Sequence, residues 1–177
     1  MDMSLAGLTV TGRQIGLIVH LGLAALFLHS FFEGVLGLRR PQANFGRLAY
    51  GVGTMALIAW LTVITGTWMV YPGYRAKPLA DADLINYPQR FLLAHQNLAG
   101  WHNFGMEWKE HVGWLAPILT TAVAFVVFRY GEQLAQDTRM RKALLGLFVV
   151  AFVAAMVSGV LGIFINKVAP NTFLNLG

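Results

Sequence analysis

The chain has 177 residues, 56% of them hydrophobic and 12% charged, with a mean hydropathy of +0.58 and a formal net charge of +5. Soluble domains carry about 25% charged residues, so the composition excludes an ordinary water-soluble enzyme, a disordered tail and a secreted disulfide scaffold. The lack of cysteine excludes disulfides, thiolate zinc sites, iron–sulfur clusters and covalently attached c-type haem.

A spanning helix needs about 20 mostly apolar residues, and four stretches qualify. The first, over residues 12–38, carries His20, His29 and Glu33. His29 and Glu33 are four apart and share a helix face. His29 follows His20 by nine residues, about half a turn away at ~100° per residue, so one helix does not present both histidines to one gap. The His29–Glu33 pair reads as a buried imidazole–carboxylate bond, a proton path, the polar edge of a quinone pocket, or a contact of Glu33 with Arg39.

The loop that follows carries Arg39, Arg40 and Arg47 without an acid. The second span, 48–71, ends at Tyr71-Pro72-Gly73 and contains Thr65-Gly66-Thr67. The long connection to the third span holds an amphipathic stretch from Tyr87 through His95 to His102, whose two histidines are seven apart and share a face if one helix carries both. The third span, 104–128, opens on Glu107-Trp108-Lys109-Glu110-His111 and is followed by Arg129. Glu107, four residues before His111, is placed to orient it. The fourth, 143–165, shows small residues at four-residue spacing (Ala154, Ser158, Gly162 and Ala151, Ala155, Gly159), a helix-packing face in lipid. The expected fold is an all-α, single-domain, integral membrane four-helix bundle with an extended outer loop between helices 2 and 3.

The first and third loops hold most of the basic residues, which places them in the cytoplasm and the +5 charge in the service of orientation rather than nucleic-acid binding. Both termini and the long loop then face outward, with no cleaved signal peptide expected, in a bacterial inner membrane. Trp68, Tyr71, Tyr74, Trp101, Trp108 and Trp114 form the outer aromatic belt.

Arginines at the inner boundary also serve as depth markers. His20 lies 19 residues before Arg39 and His111 lies 18 before Arg129. Both therefore fall roughly 27 Å from the inner boundary at ~1.5 Å per residue. Gly66 and Gly159 fall at the same depth on the other spans, and Gly16 lies one turn before His20. Two imidazoles on one level, with glycines leaving room for a flat macrocycle, are what bis-histidine b-type haem requires. His20 and His111 are the expected haem iron ligands, with His95 or His102 as a substitute ligand or a propionate contact. Arg13, Arg75, Lys77, Arg90 and Lys109 supply cations for propionates.

This arrangement resembles four-helix membrane b-type cytochromes. It is also similar to a group of bacterial four-span proteins suspected of haem binding. In those, a Val-His entry to the first span (Val19-His20 here) precedes a Leu-Thr-x-x-Thr-Gly element in the second (Leu61 to Gly66 here) and a histidine at the start of the third. The chain departs from multi-haem b561-type proteins, which place histidines on more spans, so two-haem conduction across the membrane is not expected. The resemblance implies an electron-transfer subunit with one bis-histidine haem near the outer leaflet, exchanging electrons with quinone or an associated membrane or periplasmic redox subunit. Two other readings stand beside it: a cofactor-free structural or assembly subunit of a larger membrane complex, and a metal or proton transporter using His29, Glu33, Glu107 and His111.

Overall fold

The helix boundaries follow from caps, arginines and prolines. A computed structural model of the chain describes residues 3–5, 8–40 and 45–174. Strand β1 (Met3–Leu5) pairs antiparallel with β2 (Leu8–Val10) ahead of the helices. Helix α1 (Gly12–Arg39) opens on a capping box, in which the Thr11 hydroxyl accepts from the Gln14 N–H at 3.3 Å and the Gln14 side chain accepts from the Thr11 N–H at 2.9 Å. Helix α2 (Phe45–Thr65) runs through a π-helical turn at Gly66–Val70 into α3 (Tyr71–Tyr74). Helix α4 (Pro88–Ala94) is followed by α5 (Gln96–His111), a 3-10 turn at Val112–Trp114 and α6 (Leu115–Leu134). Helix α7 (Thr138–Ile163), capped by the Asp137 carboxylate on the Met140 N–H, passes a second π-helical turn at Phe164–Val168 into α8 (Ala169–Leu174).

Each break has the same cause. A proline has no N–H for the carbonyl four residues earlier, and its ring crowds that carbonyl. Pro72, Pro117 and Pro170 therefore disturb the backbone at Trp68, Gly113 and Asn166, and these residues lie inside the three irregular turns. The chain continues helically on both sides.

Four helical segments are long and apolar enough to cross a membrane: Gly12–Arg39, Phe45–Tyr74, Gln96–Gly131 and Thr138–Asn171. All four expected spans are present, so the protein is an all-α, multi-pass membrane protein. The last three are longer than the apolar run alone implies, because polar turns continue them. About half of the expected long loop forms α4 and the first part of α5, and the third span begins at Gln96 rather than at residue 104.

Helix α1 packs mainly on α2, α2 on α6, and α6 on α7, which also returns to α1. The α1–α2 approach is tight and is made by glycines. A Cβ on Gly51 would lie 2.5 Å from the Gly34 nitrogen, and one on Gly37 would lie 2.6 Å from the Leu48 Cα. At the arginine-bearing end the core is formed by Phe27, Phe31, Leu48, Val52, Met55, Val123, Val127 and Phe148. Phe31 stacks there on Phe152, ring centroids 3.8 Å apart. A second, smaller core at the other end joins Tyr74, Leu92, Met106, Ile165 and Ala169. The polar residues of the candidate site lie between the two.

Candidate functional site

Helix α1 places His20 against α2, half-buried, with its Cε1 3.0 Å from where a Cβ on Gly66 would stand. Gly66 thus makes room for the imidazole itself. His20 Nδ1 lies 3.2 Å from the Thr65 hydroxyl, and that hydroxyl donates its proton to the Leu61 carbonyl at 2.8 Å. Having one proton to give, Thr65 accepts from Nδ1–H. The hydrogen-bond pattern therefore puts a proton on Nδ1, as in metal-ligating histidines, one of whose nitrogens donates to an oriented acceptor.

His111 is on the expected level but on another face. Residues His102, Gly105, Met106, Lys109 and Gly113 form the inward stripe of α5 and the turn after it. Two residues beyond Lys109 is a rotation of about 200°, and the His111 side chain is accordingly 69% exposed. Its Nδ1 sits 3.0 Å from the Glu107 carbonyl and 3.3 Å from the Glu107 carboxylate. The structure does not turn His20 and His111 into one gap, so the pair does not fit a haem held between them.

The inward position at this level belongs to Lys109. Its Nζ lies 3.2 Å from where a Cβ on Gly162 would stand. The adjacent Glu110 carboxylate is engaged elsewhere, accepting from the Tyr71 hydroxyl at 2.7 Å. Trp108 reaches the Ala154 carbonyl at 3.4 Å, and Ser158 lies against Gly113. The Ala154–Ser158–Gly162 ladder is therefore a packing face. Gly159 instead meets nothing within 4 Å, and Gly16 receives the Met69 side chain; neither flanks His20 as a cofactor gap would require.

His95 and His102 do not share a helix. His95 has extended backbone between α4 and α5, with Nδ1 2.7 Å from the Phe91 carbonyl and its ring on Phe91. His102 is buried in the second core, its Nδ1 2.7 Å from the Tyr74 hydroxyl, and sequence reasoning did not anticipate that partner. The same depth ruler contains it, since Tyr74 lies 27 residues from Arg47 and His102 lies 27 from Arg129.

At the opposite end His29 is exposed on α1. Glu33 is held neither by His29 nor by Arg39 but by Arg47 of α2, which donates through both Nε and Nη2, the latter at 2.8 Å. Of the remaining cations, Arg13 lies along Gly73 and Arg75 sits over the Tyr71 ring, 5.2 Å from its centroid. Among the described residues no group of three or more His, Asp or Glu side chains converges to hold a metal ion. No family model, curated protein or solved structure matches the chain.

Proposed function

We propose that the chain is the membrane subunit of an electron-transfer complex and that His20 is the ligand it offers, from within the bundle, to one b-type haem near the outer leaflet. One observation carries this reading: the Thr65 hydroxyl, committed as donor to Leu61, orients the His20 imidazole through Nδ1 on the inner side of α1. A haem bound there supplies one-electron chemistry, exchanged with quinone or a redox subunit docked on the outer face. The chain's own residues orient the imidazole through Thr65, leave space for it at Gly66, and place the Lys109 cation nearby. His111, turned outward, would not hold the haem together with His20 in this arrangement.

Turning a charged side chain toward the interior of a membrane bundle is costly. A subunit that only packs helices has no use for Lys109 between two apolar cores without an acid in contact. That favours a ligand-holding role over the purely structural one. The deciding measurement is a reduced-minus-oxidised absorbance spectrum of the purified protein supplied with haem. A low-spin band that His20→Ala removes and His111→Ala keeps supports the reading. No band at full haem supply leaves the structural subunit, in which the His20–Thr65 bond is a tie between helices.

A further inference from the structure

We propose that Lys109 is an oxyanion-binding residue. Its ammonium takes a phosphate or carboxylate oxygen from an amphipathic molecule whose apolar part lies in the membrane. Three observations combine. First, Lys109 is on the inward stripe of α5, and Gly162 provides its seat, since a side chain at Gly162 would stand within 3.2 Å of Nζ. Second, the ammonium has three donors to satisfy, yet among the described residues no carboxylate is within ion-pair distance and no hydrogen bond ends on it. Its neighbours are committed elsewhere: Glu110 to Tyr71, Ser158 to the Ala154 carbonyl, and Asn166 to the Gly162 carbonyl. Third, the group lies between two apolar cores at the histidine-bearing end, on the polar turns of α5 that lead directly into the apolar part of the third span. An unpaired cation in that setting is completed by a charge-assisted bond to an anionic oxygen. The carrier of that oxygen must also tolerate hydrocarbon, as a phospholipid phosphate or a haem propionate does.

The phosphate source is independent of the haem reading, and the test separates them. The full chain is placed in nanodiscs of phosphatidylcholine with and without phosphatidylglycerol, and retained lipid is counted by native mass spectrometry. Haem b is titrated in parallel by quenching of tryptophan fluorescence. Lys109→Gln is expected to weaken one of the two ligands about tenfold, the loss of one charge-assisted bond, while Lys109→Arg retains it. Loss of phosphatidylglycerol alone assigns the phosphate, and loss of haem alone assigns the carboxylate. A wild-type chain that binds lipid but no haem ends the haem reading and leaves this one standing. Gly162→Val, which keeps the charge and fills its seat, gives the same comparison if Lys109→Gln does not fold. Unchanged binding of both ligands in a folded variant, or no binding of either by the wild type, overturns the proposal.

Discussion

Gly51→Ala tests the packing argument most directly. The new Cβ would stand 2.5 Å from the Gly34 nitrogen, 2.7 Å from the Glu33 carbonyl carbon and 2.9 Å from the Gly34 Cα. All three are backbone atoms of α1, so no side chain swings away to make room. Restoring ordinary contact requires α1 and α2 to separate by about 1 Å. That separation loosens Leu48 and Val52 against α1 and stretches the Glu33–Arg47 ion pair one turn away. Overpacking of this kind costs about 1–3 kcal/mol. For a chain of this size each kcal/mol moves the melting temperature by about 2–4 °C, so a fall of about 2–12 °C is expected in a detergent melt followed by circular dichroism. Gly146→Ala on α7 is the control, because a Cβ there meets nothing within 4 Å. Intrinsic propensity alone would favour alanine at both positions. If the two variants melt together, the α1–α2 contact is not as close as described and the argument fails.

Three further outcomes are expected. Tyr74→Phe removes the hydroxyl bonded to buried His102 and lowers stability by about 1–3 kcal/mol, measured by chemical denaturation; an unchanged midpoint contradicts the bond. Glu33→Gln and Arg47→Gln each lower the melting temperature, and the double variant loses less than their sum, since each single change strands the other partner; strict additivity in this cycle shows that the pair is not formed. Pro117→Ala restores an N–H for the Gly113 carbonyl and straightens the α5–α6 junction. Spin labels on residues 97 and 130 should then lie farther apart, and an unchanged distance removes proline as the cause of the turn.

The sequence held the level of each polar residue more reliably than its direction. Counting from arginines put His20, His111, Gly66 and Gly159 on one level, and Thr65, Lys109 and Gly162 lie within about a turn of it. Rotation was lost because the face of α5 is set by what packs on α7. Gly113 against Ser158 of α7 and Gly105 against Ile165 of the turn that follows it set Lys109 inward and His111 outward. The partner of Glu33 was missed for a similar reason: Arg39 is closer in sequence, but the glycine-tight α1–α2 contact brings Arg47 across. The breaks near Pro72, Pro117 and Pro170 were legible in principle, each four residues downstream of the disturbed carbonyl. The His95–His102 face failed because the chain is extended at His95, which separates two short helices where periodicity alone sees one.

Three of the four spanning segments carry a proline-induced break, at staggered levels: the 112–114 turn lies beside Ser158, and the 164–168 turn lies beside Gly105. Each of these segments therefore has a local point of low bending stiffness. Force applied to the parts beyond the breaks is absorbed as rotation at the three turns, while the aromatic core at the arginine-bearing end is left undisturbed. His20, against Gly66 of the α2 turn, and Lys109, four residues before Gly113, sit next to two of these turns, where a small tilt changes access to them without repacking the bundle.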